Sequence, residues 1–428
     1  MSRLALVGVI LALGVGFAMS GAGARETVAV PADTAQGSRA IAFFEARLAR
    51  DSQDYVSAGQ LLPRYLRRFQ TGADLADLGR AAAAARAALR LTPDSATTLA
   101  RLGAVRLARH EFAAAYQTAW WALTSDPENE EALGLLFDAA MATGRYTVAE
   151  STLQRLTPGG LARQVRLAQL LDDRGHAAGA FQAIRRVCRR IALGPHRPET
   201  LAWCLVELGN IERGRSGSAA AAALYRRALD VLPAYRGAVE GLADLAHARS
   251  DWSTASRLYA RIAADAHPDI FLRLAEARRC AGDERGARRH EARFVQVAAA
   301  PAAEPLYGRE LALFYAERPA TRLLAERIAR REVERRPTVE SWDLLSWTRL
   351  RSGDVRGALQ AAETARRRGT PSGTMNYHFA VILDSLDRPA EAAAVRAAVL
   401  LADPSTLEPH VRLAIAGTCS NRLLRQPR

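Results

Sequence analysis

The chain has 428 residues, and its 59 basic and 45 acidic side chains give a formal net charge of +14 at pH 7. It contains no lysine, which excludes a Walker-type phosphate lysine, a Schiff-base lysine and a Ser-Lys dyad. A hydrophobic fraction of 49% with 24% charged residues is typical of a folded chain. Because Ala, Leu, Arg and Glu are frequent, helices are favoured.

Residues 1–24 have the pattern of a secretory signal peptide. Arg3 supplies the positive end, Leu4–Ala18 is an apolar stretch, and Ala22–Ala24 places small residues before the expected cleavage site. The stretch is shorter than the ~20 residues that span a bilayer. We therefore expect cleavage after Ala24 and no stable transmembrane anchor afterwards, with retention as an uncleaved anchor as the alternative. The protein is expected to be exported: periplasmic, in the cell envelope or secreted.

The next two segments are predicted from composition. Residues 25–37 are interpreted as a polar linker, and residues 38–59 as an N-terminal capping helix with Phe43, Phe44 and Leu48 on its apolar side. A repeat array needs such a cap because its terminal repeat otherwise exposes half a core.

Two segments of the chain share the same internal spacing. The first contains Leu102-Gly103, Ala115, Ala119, Ala122 and Pro127. The second contains Leu208-Gly209, Ala221, Tyr225, Ala228 and Pro233 at identical offsets.

This spacing resembles the tetratricopeptide repeat (TPR) family, in which a first helix with Leu-Gly packs on a second helix with Ala-x3-aromatic before a closing Pro. Four of the nine intervals between the small crossing residues are 34 residues, the length of this repeat. The resemblance implies an all-α, right-handed superhelical α-solenoid of about ten helix-turn-helix (TPR) repeats over residues 60–404. Residues 405–428 would form a C-terminal capping helix and tail. The ten crossing residues are Ala81, Ala115, Ala149, Ala180, Ala221, Ala255, Ala287, Ala325, Ala358 and Ala392. Glu310 to Gly353 also resembles exported bacterial TPR proteins of unassigned function.

Turn and cap residues fit the same register. Gly144, Gly175, Gly282 and Gly353 fall between paired helices, where a left-handed residue ends a helix. Asp94-Ser95, Thr338 and Ser405-Thr406 are predicted to cap the first helices that follow them.

Cysteine spacing allows two interpretations. Cys188 and Cys204 flank the loop 192–200, so an exported protein could join them in a disulfide. The alternative is that all four cysteines are buried thiols, with Cys280 and Cys419 lacking an evident mate.

No catalytic or metal-binding motif is present. The His-Glu pairs at His110 and His290 lack the second His of a zinc helix, and no Gly-x-Ser-x-Gly elbow occurs. We therefore predict no enzyme activity, no cofactor and no metal. The Arg residues are spread along the chain without a nucleic-acid motif, so no nucleic-acid partner is predicted.

In TPR proteins the concave groove is lined by the first helix of each repeat. At the corresponding places of this chain from the third repeat onward, by that resemblance, thirteen acids face four bases: Arg213, Arg279, Arg318 and Arg351. Acids interleaved with aromatics suit a basic segment, through charge pairing and cation–π contact. Acids at helix starts also favour the helix dipole, which is the simpler explanation for some of them. The predicted groove residues are Asp138, Asp173, Trp203, Glu240, Asp244, Glu276, Tyr307, Glu310, Phe314, Glu317, Asp343, Trp347, Tyr377 and Asp384.

The sequence thus predicts a non-catalytic scaffold of the cell envelope that binds a basic, aromatic protein or peptide segment in an acidic groove. The Arg surplus would lie on second helices, as at Arg185-Arg186, Arg226-Arg227 and Arg330-Arg331. One alternative is a docking subunit of an envelope complex that uses this Arg-rich convex side. A second alternative is an enzyme with an unrecognised site.

Overall fold

The structure is a computed structural model. It describes residues 34–72, 75–194, 198–215, 218–263, 268–301, 303–368 and 372–400, together with Val411 and Cys419. Within these residues all regular structure is helical, and no strand occurs. The chain forms two compact units, Met1–Gln169 (unit 1) and Leu170–Arg428 (unit 2), which are described separately. None of the described helices is long and apolar enough to cross a bilayer.

Unit 1 consists of one N-terminal helix followed by helix pairs. In each of the pairs α2–α3, α4–α5 and α6–α7 the two helices pack on each other, and each pair also packs on the next. The last helix, α8, begins in unit 1 and ends in unit 2. The helices are α1 (Thr34–Arg50), α2 (Tyr55–Gly72), α3 (Leu75–Leu91), α4 (Ala96–Ala108), α5 (Phe112–Ser125), α6 (Glu130–Ala142), α7 (Tyr146–Arg155) and α8 (Leu161–Asp173).

Unit 2 continues the same arrangement. Six further pairs, α10–α11 to α20–α21, follow the single helix α9, and the two helices of each pair pack on each other. The helices are α9 (Ala177–Leu193), α10 (Pro198–Arg215), α11 (Ser218–Val231), α12 (Arg236–Ala248), α13 (Trp252–Ile262), α14 (Asp269–Cys280), α15 (Glu284–Ala298), α16 (Glu304–Ala316), α17 (Arg322–Arg335), α18 (Val339–Ser352), α19 (Val355–Arg368), α20 (Gly373–Asp384) and α21 (Pro389–Leu400).

The small residues chosen from the sequence mark the helix crossings. All ten predicted crossing alanines, from Ala81 to Ala392, are 0% exposed. Nine of them lie on the second helix of a pair and Ala180 lies on α9, and at each crossing a methyl group lets two backbones approach closely. The predicted all-α fold of helix-turn-helix repeats is therefore confirmed, and the chain is a TPR-like helical solenoid.

The turns between paired helices share one backbone conformation. A residue with positive φ stands five places before the crossing alanine in seven repeats, and four of these are the predicted glycines, with φ between 70° and 100°. His110, Ser250 and Asp387 occupy the same place with φ of 56–59°, where a side chain is strained. Ser95 and Thr338 cap α4 and α18, accepting hydrogen bonds from the N–H groups of Thr98 and Ser341 at 3.3 Å.

The N-terminal cap differs from its prediction. The expected single helix over residues 38–59 is interrupted, because α1 ends at Arg50 and α2 begins at Tyr55. Asp54 ends the turn by accepting hydrogen bonds from the Ser57 N–H (2.9 Å) and the Ser57 hydroxyl (2.6 Å). Phe43, which was expected on the apolar side, is exposed, and Ile41 is buried instead.

Other segment assignments fall largely outside the described residues. This is so for the signal peptide at 1–24 and its cleavage site, and for the second cap at Ser405-Thr406. Of the linker at 25–37, residues 34–37 already belong to α1. Of residues 405–428, only Val411 and Cys419 are described.

All four cysteines are paired in disulfides. Cys188 of α9 is bonded to Cys204 of α10, with Cα atoms 5.6 Å apart, so the predicted bridge is confirmed over the alternative of four thiols. A second bridge joins Cys280, at the end of α14, to Cys419, with Cα atoms 5.1 Å apart. Sequence reasoning missed it because 139 residues separate the two cysteines.

The strained turn between α12 and α13 yields a stability prediction. Ser250 has φ 59°, so Ser250→Gly removes a strain of about 1–2 kcal/mol and adds the smaller entropic cost of glycine. We expect a net gain of about 0.5–1 kcal/mol in the free energy of unfolding, measured by urea titration. Ser250→Ala keeps the Cβ atom and is the control. An equal gain from both substitutions would contradict the strain explanation.

Candidate binding face

Charge is divided between the two kinds of helix in unit 2. The first helices α10, α12, α14, α16, α18 and α20 carry twelve Asp and Glu against nine Arg. The second helices α9, α11, α13, α15, α17, α19 and α21 carry 22 Arg against eight Asp and Glu. The predicted location of the Arg surplus is therefore confirmed for this unit. We call the surface of the first helices, with the last turn of α8, the first-helix face.

Asp244 is an interior residue and not a groove residue. Its carboxylate binds Arg213 of α10 at 3.1 Å and Arg273 of α14 at 2.7 Å. The Tyr259 hydroxyl donates a third hydrogen bond at 2.7 Å. Because Arg213 and Arg273 come from the preceding and following first helices, Asp244 joins three repeats and is not available to a partner.

Two more predicted acids bind buried histidines one repeat away. The Glu276 carboxylate lies 3.3 Å from Nε2 of His247. Asp343 holds Nδ1 of His378 with both oxygens at 3.0 Å. The His378 ring stacks on Trp347 with centroids 4.3 Å apart. These acids are buried and stabilise the contact between successive first helices.

Asp138 of unit 1 stands 11 residues before its crossing alanine, Ala149, as Asp244 does before Ala255. Nε and Nη2 of Arg166, on α8, donate hydrogen bonds to the two carboxylate oxygens of Asp138 at 3.0 Å and 2.6 Å. Nε also donates to the Gly134 carbonyl at 3.1 Å. Asp138 is 3% exposed and Arg166 1%. Burial raises the pKa of Asp138, and the attraction of Arg166 opposes that shift. Its assignment to the groove is thus corrected to a buried ion pair.

Three predicted acids near the surface also bind within the chain. Glu240 lies 3.3 Å from Arg273. Glu317 accepts a hydrogen bond from the indole N–H of Trp347 at 2.9 Å and forms an ion pair with Arg351 at 3.2 Å. Asp384, which is exposed, pairs with Arg396.

The predicted aromatics separate in the same way. Trp203, Tyr307 and Trp347 are buried and fill space between helices, so their assignment to a groove surface is corrected. Phe314 and Tyr377 are half-buried. The Arg318 guanidinium lies 3.4 Å from the ring centroid of Phe314, a cation–π contact inside the face itself.

Asp173 is a predicted acid whose pKa is strongly raised. It ends α8, where it is half-buried. Burial, reinforced by the negative charges of Glu340 and Asp172, raises its pKa to about 7 from the ordinary 3.8. Glu340 belongs to α18, so two carboxylates far apart in sequence come within electrostatic reach of each other.

A second group of like charges lies farther along the face. Burial raises the pKa of Glu310, an effect that Arg309 opposes and Asp269 reinforces. Burial together with Asp269 and Glu310 raises the pKa of Tyr307 to about 12. Carboxylates that repel one another across a partly dehydrated surface favour a cation between them.

Sequence reasoning missed the basic residues that contact the interior acids: Arg166, Arg273, His247 and His378. A signal for them exists, because each stands 28 to 35 residues from its acid, which is about one repeat. The four Arg residues that were assigned to the groove also bind acids: Arg213, Arg279, Arg318 and Arg351. Among the described residues, no group of three or more His, Cys, Asp or Glu could hold a metal ion.

Solved structures of known proteins are similar to this chain at low sequence identity. The human IFIT1 dimer with PPP-AAAA matches at 16% identity and a TM-score of 0.46, covering 78% of this chain and 86% of its own. The yeast Tom70 structure matches at 13% identity and a TM-score of 0.38, covering 84% and 87%. The human IFIT1 dimer with m7Gppp-AAAA matches at 15% and 0.47, covering 85% and 94%. No protein-family model and no curated protein matches the chain.

The buried pair of unit 1 allows a direct test of its structural role. Arg166→Met leaves Asp138 buried without its cation, and we expect a loss of about 3–5 kcal/mol in the free energy of unfolding. The double variant Asp138→Leu/Arg166→Met removes both charges and should recover most of that loss. Arg388→Met, which breaks the exposed pair with Glu391, is the control and should have a much smaller effect. A double variant as unstable as Arg166→Met would contradict this role.

Proposed function

We propose that this protein is a non-catalytic scaffold of the cell envelope that holds a basic segment of a partner protein on the first-helix face of unit 2. The signal-peptide pattern of residues 1–24 supports export. Both disulfides support it as well, because structural disulfides form mainly in oxidising compartments. The TPR-like fold supports binding, since stacked repeats present extended surfaces to partners.

The observation that carries the proposal is the convergence of Asp173 and Glu340. Both are half-buried, and their repulsion contributes to the raised pKa of Asp173. A cation from a partner would relieve this repulsion and gain strength from the partial burial. The interior acids Asp138, Asp244, Glu276 and Asp343 take no part, because burial and internal pairing occupy them.

Aromatic character adds to the preference for a basic segment. Phe314 already accepts the Arg318 guanidinium over its ring at 3.4 Å. Tyr377, also half-buried, has its ring centroid 6.1 Å from that of Trp347. A partner segment in which Arg alternates with apolar residues could contact carboxylates and rings together.

Three half-buried acids of the face can be replaced by amides, which remove the charge and keep the shape and an accepting oxygen of each side chain. Asp173→Asn, Glu310→Gln and Glu340→Gln together should weaken binding of a labelled peptide of alternating Arg and Trp by about tenfold at low salt. Fluorescence anisotropy measures the affinity, and circular dichroism checks the fold.

The control variant changes the same number of charges on the other helices. Glu284, Glu334 and Glu363 are exposed on α15, α17 and α19, and their replacement by Gln should leave the affinity within about twofold. If both triple variants weaken binding equally, only net charge matters, and the proposed face is wrong.

The raised pKa of Asp173 also predicts a pH dependence. A bound cation requires the ionised carboxylate, so the affinity for the same peptide should rise about tenfold from about pH 6 to about pH 8. Arg stays charged throughout. The stability of the free protein should change with pH in the opposite direction. The pKa of Asp173 in the folded state lies above its ordinary value, so folding takes up a proton. The free energy of unfolding therefore increases as the pH falls through 7. Asp173→Asn should abolish both trends, and a pH-dependent affinity in that variant would contradict the assignment.

One observation favours a second candidate function. The second helices of unit 2 carry 22 Arg against eight acids. This agrees with the alternative of a docking subunit that uses its Arg-rich side in an envelope complex.

A further inference from the structure

The second helices of unit 2 display nearly all of their positive charge to solvent. Twenty of their 22 Arg are exposed, against five exposed acids. On α9 and α13 the Arg residues have no acid on the same helix. We call this surface the second-helix face. The exposed Arg residues are Arg185, Arg186, Arg189, Arg190, Arg226, Arg227, Arg257, Arg261, Arg285, Arg288, Arg289, Arg293, Arg327, Arg330, Arg331, Arg356, Arg366, Arg367, Arg368 and Arg396.

The most exposed large apolar side chains of unit 2 lie on the same helices. Leu193, at the end of α9, is 90% exposed, and Leu323, at the start of α17, is 71% exposed. Each is close in sequence to Arg residues, Arg190 and Arg322 respectively. Exposed leucines beside Arg are expected where a protein meets the boundary between lipid headgroups and acyl chains.

The aromatic residues of these helices argue against single-stranded nucleic acid. Tyr225, Tyr259 and Phe294 are buried, and Phe181 and Trp252 are half-buried. Proteins that bind single strands use exposed rings on which bases stack. Where they are described, the second helices of unit 2 present Arg and aliphatic groups to solvent instead.

The distribution of the charge indicates the kind of anion. It is dispersed over seven helices and not focused around one pocket. A folded acidic protein would have to match this pattern residue by residue, whereas mobile lipid headgroups can rearrange to meet it. Guanidinium groups bind phosphate through two parallel hydrogen bonds, which suits phospholipids.

We propose that the second-helix face of unit 2 binds peripherally to a bilayer surface that contains anionic phospholipid. The proposal is independent of the partner on the first-helix face. With the Arg residues of the second-helix face at the membrane, the first-helix face of unit 2 would stay free for its partner.

Vesicle co-sedimentation of the full chain tests this proposal. Vesicles of phosphatidylcholine with phosphatidylglycerol should bind the protein at least about tenfold more tightly than phosphatidylcholine alone, and the difference should vanish at about 1 M salt. Equal binding to both vesicle types would overturn the proposal.

Substitution of exposed Arg locates the contact. Arg185, Arg189, Arg226 and Arg227 lie on α9 and α11, and their replacement by Gln preserves helix propensity. We expect at least a fivefold loss of binding to the anionic vesicles, with unchanged circular dichroism. The control replaces Arg39, Arg50, Arg86 and Arg90, which are exposed in unit 1, and should change binding by less than twofold. Every variant keeps residues 1–33, so binding through that segment would survive both sets and would overturn the proposal.

Competition separates the membrane from other polyanions. At equal concentration of charge, a DNA duplex or poly-glutamate should displace the protein from the anionic vesicles less effectively than further phosphatidylglycerol vesicles do. More effective displacement by the duplex would indicate a nucleic-acid surface, and more effective displacement by poly-glutamate an acidic protein partner; either result would overturn the proposal. As an independent variant, Arg288→Gln/Arg289→Gln on α15 should weaken vesicle binding about twofold or more.

Discussion

A charge that is buried in a protein must meet an opposite charge, because the loss of hydration otherwise costs several kcal/mol. In this chain that constraint acts between successive first helices. Arg166 meets Asp138, and Arg213 and Arg273 meet Asp244. The carboxylates of Glu276 and Asp343 lie against the rings of two buried histidines. Small residues bring the helices of each pair together, and these ion pairs hold one pair in register with the next. These contacts therefore stabilise the packing of neighbouring repeats on each other.

Internal pairing also determines which charged side chains are available to bind a partner. In unit 2, Asp244, Glu276 and Asp343 are buried and bound within the fold, whereas Asp173, Glu310 and Glu340 are half-buried, and the negative charge of Glu340 contributes to the raised pKa of Asp173. The second helices of unit 2 expose 20 of their 22 Arg, although Glu332 of α17 is buried against Arg335 and Arg336. The unit therefore has one face suited to a cationic segment and another suited to a polyanionic surface. Both properties follow from which helix of each pair meets its equivalent in the next repeat.

Much of this fold could be predicted from the sequence, since local signals determine it. Ten alanines at near-regular intervals mark the crossings, and a glycine five places earlier marks a turn. The groove was harder to predict, because the position of a residue in a repeat shows which helix carries it but not whether its charge is paired. Asp343 and Glu310 both stand 15 residues before their crossing alanines, yet Asp343 is buried against His378 and Glu310 is half-buried. The bond between Cys280 and Cys419 depends on a return of the chain over 139 residues that no local pattern reveals.

Site-specific photocrosslinking in intact cells tests most directly whether the first-helix face holds a basic segment. Phe314 is half-buried on that face, so p-benzoylphenylalanine at position 314 places a reactive ring of similar shape beside a bound partner. Gln360, exposed on α19, is the matched position on the second-helix face. We predict that position 314 captures peptides rich in Arg or Lys that position 360 does not capture. Capture of the same peptides at both positions, or of acidic peptides at position 314, would contradict this account.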